Sequence, residues 1–255
     1  MTKPLIEPIE DLPAAADLAL FLDFDGTLVE IEDLPTDVRL DSVTRMTLAR
    51  LALLLDGAIA IVTGRDIADV DRFLHPVRLP VAGVHGTTRR DAAGMVHARR
   101  RDGDFEIRLQ DRLRGLAERE AGILVEPKQG AVALHFRSRP ELAGICAAAM
   151  QQAVHDMPGV VVIRGKMVIE AKVDASNKGD ALAEFLAEPP FAGRLPVFAG
   201  DDVTDEDAFR AVNAAGGISI KVGAGETLAQ YRAADTPAFL HWLQATTYRL
   251  GGASR

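Results

Sequence analysis

The chain has 255 residues, of which 48% are apolar and 26% charged, with a net charge of −8. That is enough for one large domain or two modest ones, and the acidic balance argues against nucleic acid as the main partner. No stretch nears the roughly 18 apolar residues of a membrane span, and a lone cysteine, Cys146, cannot form an internal disulfide.

Met1 to Asp17 has acidic residues and prolines but no signal-like apolar stretch. The expectation is a soluble, cytoplasmic monomer that acts on a small molecule, with neither nucleic acid nor membrane as partner.

Leu18 to Phe24 is an apolar run ending in Asp23-Phe24-Asp25-Gly26-Thr27, which reads as a buried parallel strand. Residues two apart on a strand share a face, so Asp23 and Asp25 project together near its carboxyl end. Two carboxylates at the edge of a core need a charge to pair with, and a divalent cation would supply it. Leu40, Val43, Leu48, Leu51 and Leu54 give a helical stripe. Ala58–Val62 reads as a strand, 66–74 as a helix and Leu79–Val84 as a third strand. The second strand ends in Thr63-Gly64-Arg65, where a hydroxyl and adjacent N–H groups could bind a phosphoryl oxygen or simply cap a helix.

The region 89–172 reads differently. It holds 15 Lys+Arg and 11 Asp+Glu, a net of +4, which leaves −12 on the remainder. Arg99, Arg100 and Arg101 read as an exposed basic turn. Ile107, Leu109, Leu113, Leu116 and Ala117 mark a helix, followed by a hairpin of Ile123–Glu126 and Ala131–Arg137 around Gln129-Gly130. Leu142, Ile145, Cys146, Ala149 and Ala153 mark a second helix, with Cys146 as a core thiol. Val160–Arg164 and Val168–Val173 form another hairpin around Gly165-Lys166. This order implies an open antiparallel sheet with helices on one face, inserted into a parallel core.

The last third resumes the alternation: helix 178–187, strand Leu195–Ala199, helix 205–214 and strand Gly217–Val222. Asn177-Lys178-Gly179 opens the first helix. Lys178 is a compact charge suited to phosphate, though a solvated lysine is its usual fate. Gly200-Asp201-Asp202-Val203-Thr204-Asp205-Glu206-Asp207 places five acids within seven positions, which repel unless a cation sits among them. Glu206 and Asp207 suit a helix N-terminus equally well. The tail from Gly251 to Arg255 is expected to fray.

Asp23-x-Asp25-Gly26-Thr27-Leu28, Thr63-Gly64-Arg65, Lys178-Gly179 and the acidic segment, in that order, resemble the four motifs of the haloacid-dehalogenase (HAD) superfamily of aspartate-nucleophile phosphatases. The resemblance implies an α/β fold: a Rossmann-like parallel-sheet core over 1–88 and 174–255, with an inserted α+β cap over 89–173. It implies Asp23 as nucleophile, Asp25 as acid and base, and Thr63 and Lys178 at the phosphoryl group. Mg²⁺ would lie on Asp23, the carbonyl of Asp25, Asp201 and Asp205, with Asp202 the other candidate for the acidic partner.

Within that superfamily the chain resembles the trehalose-6-phosphate phosphatases from Leu20 to about Leu243. The markers are Gly83-x-His85-Gly86 with its preceding strand, Glu126-x-Lys128 followed by His135-x-Arg137, Gly165-Lys166-x-x-x-Glu170, and the acidic segment. The resemblance implies that Glu126, Lys128, Lys166 and Glu170 bind the sugar remote from the phosphate. Thr63 and Gly64 are further substrate-binding candidates, and Arg65, His85, Arg137 and Arg164 are weaker carry-overs, of which Arg137 and Arg164 serve structure as easily as substrate. Any one of these cap residues could equally be a cross-strand ion pair on a solvated sheet. It also implies closure of the cap on binding. Two other readings stay open: a HAD sugar phosphatase for sucrose or mannosyl phosphates, and a catalytically silent sensor of the sugar phosphate.

Overall fold

A computed structural model describes residues 13–31, 38–98, 104–128, 131–157, 159–165, 167–173 and 177–252. Gln129, Gly130, Lys166, Arg99–Arg101 and the last three residues therefore lie outside the described residues, as does the side chain of Lys128.

In chain order the elements are β1 (Leu18–Leu22), α1 (Ser42–Leu54), β2 (Ile59–Val62), α2 (Ile67–Leu74), β3 (Val81–Gly83), β4 (Thr88–Arg90), β5 (Val96–Ala98), α3 (Phe105–Arg119), β6 (Leu124–Lys128) and β7 (Ala131–His135). They continue with α4 (Ala143–Val154), β8 (Val160–Gly165), β9 (Val168–Val173), α5 (Lys178–Leu186), β10 (Leu195–Gly200), α6 (Glu206–Ala214), β11 (Ile218–Val222), β12 (Tyr231–Ala233) and α7 (Thr236–Gly252). The chain divides into two compact units, 1–97 with 176–255, and 98–175. No helix among the described residues is long and apolar enough to cross a membrane.

The larger unit is built on an eight-stranded sheet in the order β12-β11-β10-β1-β2-β3-β4-β5. β1 and β2 are buried at every residue, as strands covered on both faces must be. The strands from β12 to β3 pair in parallel, and β4 pairs antiparallel to β3. From β1 the chain steps to β2 and β3 on one side; after 175 it steps from β10 to β11 and β12 on the other. Connections therefore diverge at the β1–β10 pair, the switch point beyond whose carboxyl ends ligands bind in such sheets. Phe21, Phe185 and Phe191 pack there with ring centroids 5.0–5.9 Å apart and fix α5 against β1. Truncating one such ring costs about 3–5 kcal/mol.

Residues 88–90 and 96–98 extend this large sheet, ahead of the unit beginning at Ala98. No apolar signal marks β4, because Arg89 and Arg90 are buried through ion pairs. Arg90 binds Asp71 and the Leu79 carbonyl, and Arg89 binds Glu184 and Glu188. β12 and α7 were also not expected. α7 buries Thr246 and Thr247 beside Phe239, Trp242 and Leu243, and these hydroxyl residues obscure the apolar stripe. Val43, on the expected stripe of α1, is instead 48% exposed.

The smaller unit is a four-stranded antiparallel sheet, β6-β7-β9-β8. One face carries Val132, Leu134, Ile169 and Ala171, buried in one cluster with Phe105, Leu109, Leu113 and Leu116 of α3 and Cys146 and Met150 of α4. Burial pushes the Cys146 thiol pKa up, as befits a core thiol. Ile107 and Ile145, expected in these stripes, face solvent at 59% and 50% exposure.

Candidate active site

Asp23 follows β1 directly, and its N–H donates to the Ala199 carbonyl of β10 at 2.9 Å. Asp201 follows β10, so both carboxylates stand at the switch point. Gly26 turns the chain away from Asp23 with φ +74°. A Cβ there would lie 2.1 Å from Asp201 Oδ2, so glycine is required by both conformation and space. The Gly26 carbonyl accepts from Thr236 Oγ1 at 2.6 Å, which ties this turn to the start of α7.

Lys178 is delivered by the first residue of α5. Asn177 caps that helix in a reciprocal box, accepting from Asp180 N–H at 2.9 Å while Asp180 accepts from Asn177 N–H at 3.3 Å. Lys178 Nζ donates to Asp23 Oδ1 at 2.8 Å and to Asp205 Oδ1 at 2.7 Å. Asp205 is fully buried and accepts the Asp202 N–H at 2.9 Å through its other oxygen. Lys178 is 2% exposed and Asp23 4%. These are costly burials, tolerable only as a paired set.

Oxygens of Asp23, Asp201 and Asp205 lie within 4.8 Å of one another. Asp202 is not part of that cluster; its N–H serves Asp205 instead. Burial, then the charge of Asp205, holds the Asp23 carboxyl well above the usual carboxylate range against the pull of Lys178. Burial and then Asp205 also raise Asp201. Burial alone would lower the Lys178 ammonium, but Asp23 and Asp205 outweigh it and the net shift is upward. Lys178 bonds Asp23 and Asp205, and the charges of Lys221 and Lys178 act on Asp201, so three carboxylates face two ammoniums and an excess of negative charge remains on hard oxygen donors. A divalent cation such as Mg²⁺ fits that donor set and relieves the repulsion.

Thr63 is buried at the end of β2, and its Oγ1 accepts the Arg65 N–H at 3.2 Å. His85 N–H donates to the Thr63 carbonyl at 2.9 Å. The His85 ring lies so close that a Cβ on Gly64 would be 2.7 Å from it. Arg65 grips Asp25, with Nε to Oδ2 at 2.7 Å and Nη2 to Oδ1 at 2.6 Å. Sequence reasoning missed this pairing; side chains forty residues apart carry no periodic signal of it.

In the smaller unit, register assigns the candidates to faces. Ala133 pairs with Glu126 on one side and Glu170 on the other, so these carboxylates flank one alanine on the face opposite Val132 and Leu134. Lys128 and Lys172 flank Ala131 in the next row. His135 is on the same face, 2.7 Å from Glu126. Lys172 was overlooked, although the period-2 step from Glu170 points to it. Arg137 was expected to extend this face, but β7 ends at His135 and Arg137 is in the following turn. Arg164 pairs with buried Ile169, which puts it on the helix-covered face, away from Glu126 and Glu170. Lys166 lies outside the described residues.

The family model described as trehalose-phosphatase matches residues 21–237. The chain is 38% identical over 250 residues to the trehalose-6-phosphate phosphatase of Escherichia coli (strain K12), covering 98% of this chain and 93% of that protein. A structure of Aspergillus fumigatus trehalose-6-phosphate phosphatase superposes with a TM-score of 0.80 at 25% identity, covering 97% of this chain and all of that one. The C-terminal domain of C. albicans trehalose-6-phosphate phosphatase shares the fold, with a TM-score of 0.67 at 21% identity over 97% of this chain and 98% of that one. With both the motif order and most of its length accounted for, the chain belongs to the trehalose-phosphatase family.

Proposed function

We propose that this chain hydrolyses trehalose 6-phosphate to trehalose and orthophosphate, the last step in making the free disaccharide. The observation that carries the reading is the buried Asp23–Lys178–Asp205 set with Asp201 beside it, at the switch point of a chain in this family.

Lys178 occupies Asp23 Oδ1 and holds that side chain in place, leaving Oδ2 to attack phosphorus. As the Asp23–phosphorus bond forms, the bond to the sugar oxygen breaks, and the Asp25 carboxyl supplies the proton that oxygen needs. Water then attacks phosphorus, Asp25 takes its proton, and the Asp23 carboxylate leaves with orthophosphate complete. Thr63 and the N–H groups around Gly64 donate to the phosphoryl oxygens. Mg²⁺, held by Asp23, Asp201, the Asp25 carbonyl and Asp205, would neutralise phosphoryl charge when bound. His85, poised over Gly64, borders the same loop.

The unit 98–175 recognises the sugar in this reading. Glu126 and Glu170 accept hydroxyls, and Lys128 and Lys166 donate to them, through charge-assisted hydrogen bonds. The register that sets Glu126 and Glu170 about one small alanine supports it. The test is phosphate release from trehalose 6-phosphate, sucrose 6-phosphate and glucose 6-phosphate, with Mg²⁺ and with chelator. Selectivity for the first, lost on chelation, is expected; equal turnover of all three overturns the substrate assignment.

A further inference from the structure

We propose that Arg65 is a positioning residue for Asp25 rather than a ligand of the phosphoryl group. The inference rests on the reading of Asp25 as the acid and base above. Asp25 follows the strand end in a turn, and its side chain is 38% exposed. Without a restraint, such a carboxyl samples several rotamers. The Arg65 fork supplies two parallel charge-assisted bonds, at 2.7 and 2.6 Å, one to each oxygen. A carboxylate has about four lone-pair sites. Two are taken by Arg65, and one on each oxygen is left to carry the proton that passes to the sugar oxygen or to accept one from a water.

Arg65 is itself braced at both ends. Its guanidinium carbon lies 5.0 Å from the Phe73 ring centroid and 5.5 Å from that of Phe24. Its carbonyl accepts the Val84 N–H at 3.0 Å. Val84 and His85 are both left-handed, with φ +50° and +54°. A branched residue adopts that conformation only where its surroundings enforce it. Here the turn delivers the Val84 and His85 amides to the Arg65 and Thr63 carbonyls. The line of restraint runs from this strained turn through Arg65 to the Asp25 carboxyl.

A leaving-group comparison tests the assignment. kcat/KM reports steps through cleavage of the ester bond. Trehalose 6-phosphate expels an alkoxide that needs a proton, whereas p-nitrophenyl phosphate expels an aryloxide that does not. For Arg65→Gln the ratio of kcat/KM for the sugar phosphate to that for the aryl phosphate should fall by about 10- to 100-fold, the effect of misplacing a catalytic group by roughly 1 Å. Arg65→Lys should fall similarly, since lysine cannot make two parallel bonds. In an Asp25→Asn background, Arg65→Gln should add no further loss on the sugar phosphate.

Equal losses on both substrates would mean a phosphoryl contact or a general structural role, and would overturn the proposal. Full additivity with Asp25→Asn would overturn it too. Melting temperatures identify a variant that fails to fold, and Phe73→Leu, which removes the ring under the Arg65 guanidinium and keeps an apolar side chain against the core, then serves in its place with the same expected change in ratio. A wild-type protein inactive on trehalose 6-phosphate would refute the substrate reading alone. The ratio is then taken with whichever alkyl phosphate the panel shows to be hydrolysed.

Discussion

Replacing Lys178 with methionine removes the one ammonium shared by Asp23 and Asp205. Both carboxylates are buried, at 4% and 0% exposure, and the methionine occupies a similar volume without a charge. Breaking a buried ion pair by deleting one partner costs about 3–5 kcal/mol. For a domain of this size each kcal/mol lowers the melting temperature by about 2–4 °C, so the variant should melt about 10 °C below the wild type in chelator. The pH dependence has a definite sign. Burial has already moved Asp23 upward, so over the window from about 3.8 to its folded value the native state holds a proton that the unfolded chain has released. Stability from this group is therefore lost as pH rises through that window, and losing Lys178 raises the folded value further. The deficit should be larger at pH 7 than at pH 4. Saturating Mg²⁺ should narrow it, because without the ammonium the acids repel one another more and the folded variant binds the cation more tightly, and each tenfold drop in Kd recovers about 1.4 kcal/mol at saturation. Calorimetry of both proteins in chelator and in Mg²⁺ measures all of this. A variant melting within about 1 °C of the wild type in chelator would refute the reasoning.

Gly26→Ala should cost more than a backbone effect, because the new Cβ would lie 2.1 Å from Asp201 Oδ2; titration calorimetry should show Mg²⁺ affinity lowered at least about tenfold, worth roughly 1.4 kcal/mol. Glu170→Gln should narrow the selectivity for trehalose 6-phosphate over glucose 6-phosphate by about tenfold, chiefly through KM, and unchanged selectivity would remove Glu170 from sugar recognition. Asp71→Asn should leave the buried Arg90 guanidinium short of its carboxylate and cost about 2 kcal/mol in urea unfolding. The Arg90 hydrogen bonds hold Asp71 below the usual carboxylate range, so its contribution is present above about 3.8 and lost as pH falls through its folded value; the variant should show a shallower decline there.

The acid-bearing strand ends were legible because a buried parallel strand is a short apolar run, and an acid directly after one is conspicuous. Asp23, Thr63, Lys178 and Asp201 each follow such a run or open a helix; Asp23 and Asp201 stand at the switch point with Lys178 bonded to Asp23, and Thr63 stands at the end of the neighbouring β2. Less was legible where burial is achieved by pairing rather than by apolar character. Arg89 and Arg90 carry no apolar signal, yet they are buried through Glu184, Glu188 and Asp71. The threonines of α7 hid a helix that anchors Gly26 through Thr236. Arg65 stood in a phosphate-like motif, and nothing local told that its fork meets Asp25. The faces of the smaller sheet needed register: Glu170 read as a sugar contact and Arg164 as either a substrate or a structural residue, and pairing with Ile169 turns Arg164 to the covered face.

The central claim, that Asp23 is the nucleophile toward trehalose 6-phosphate, is tested most directly by rapid acid quench with radiolabelled phosphate on that sugar. The account predicts label on wild-type protein during turnover, mapped to the peptide containing Asp23, and neither label nor phosphate release with Asp23→Asn. Phosphate release by Asp23→Asn at the wild-type rate would contradict it.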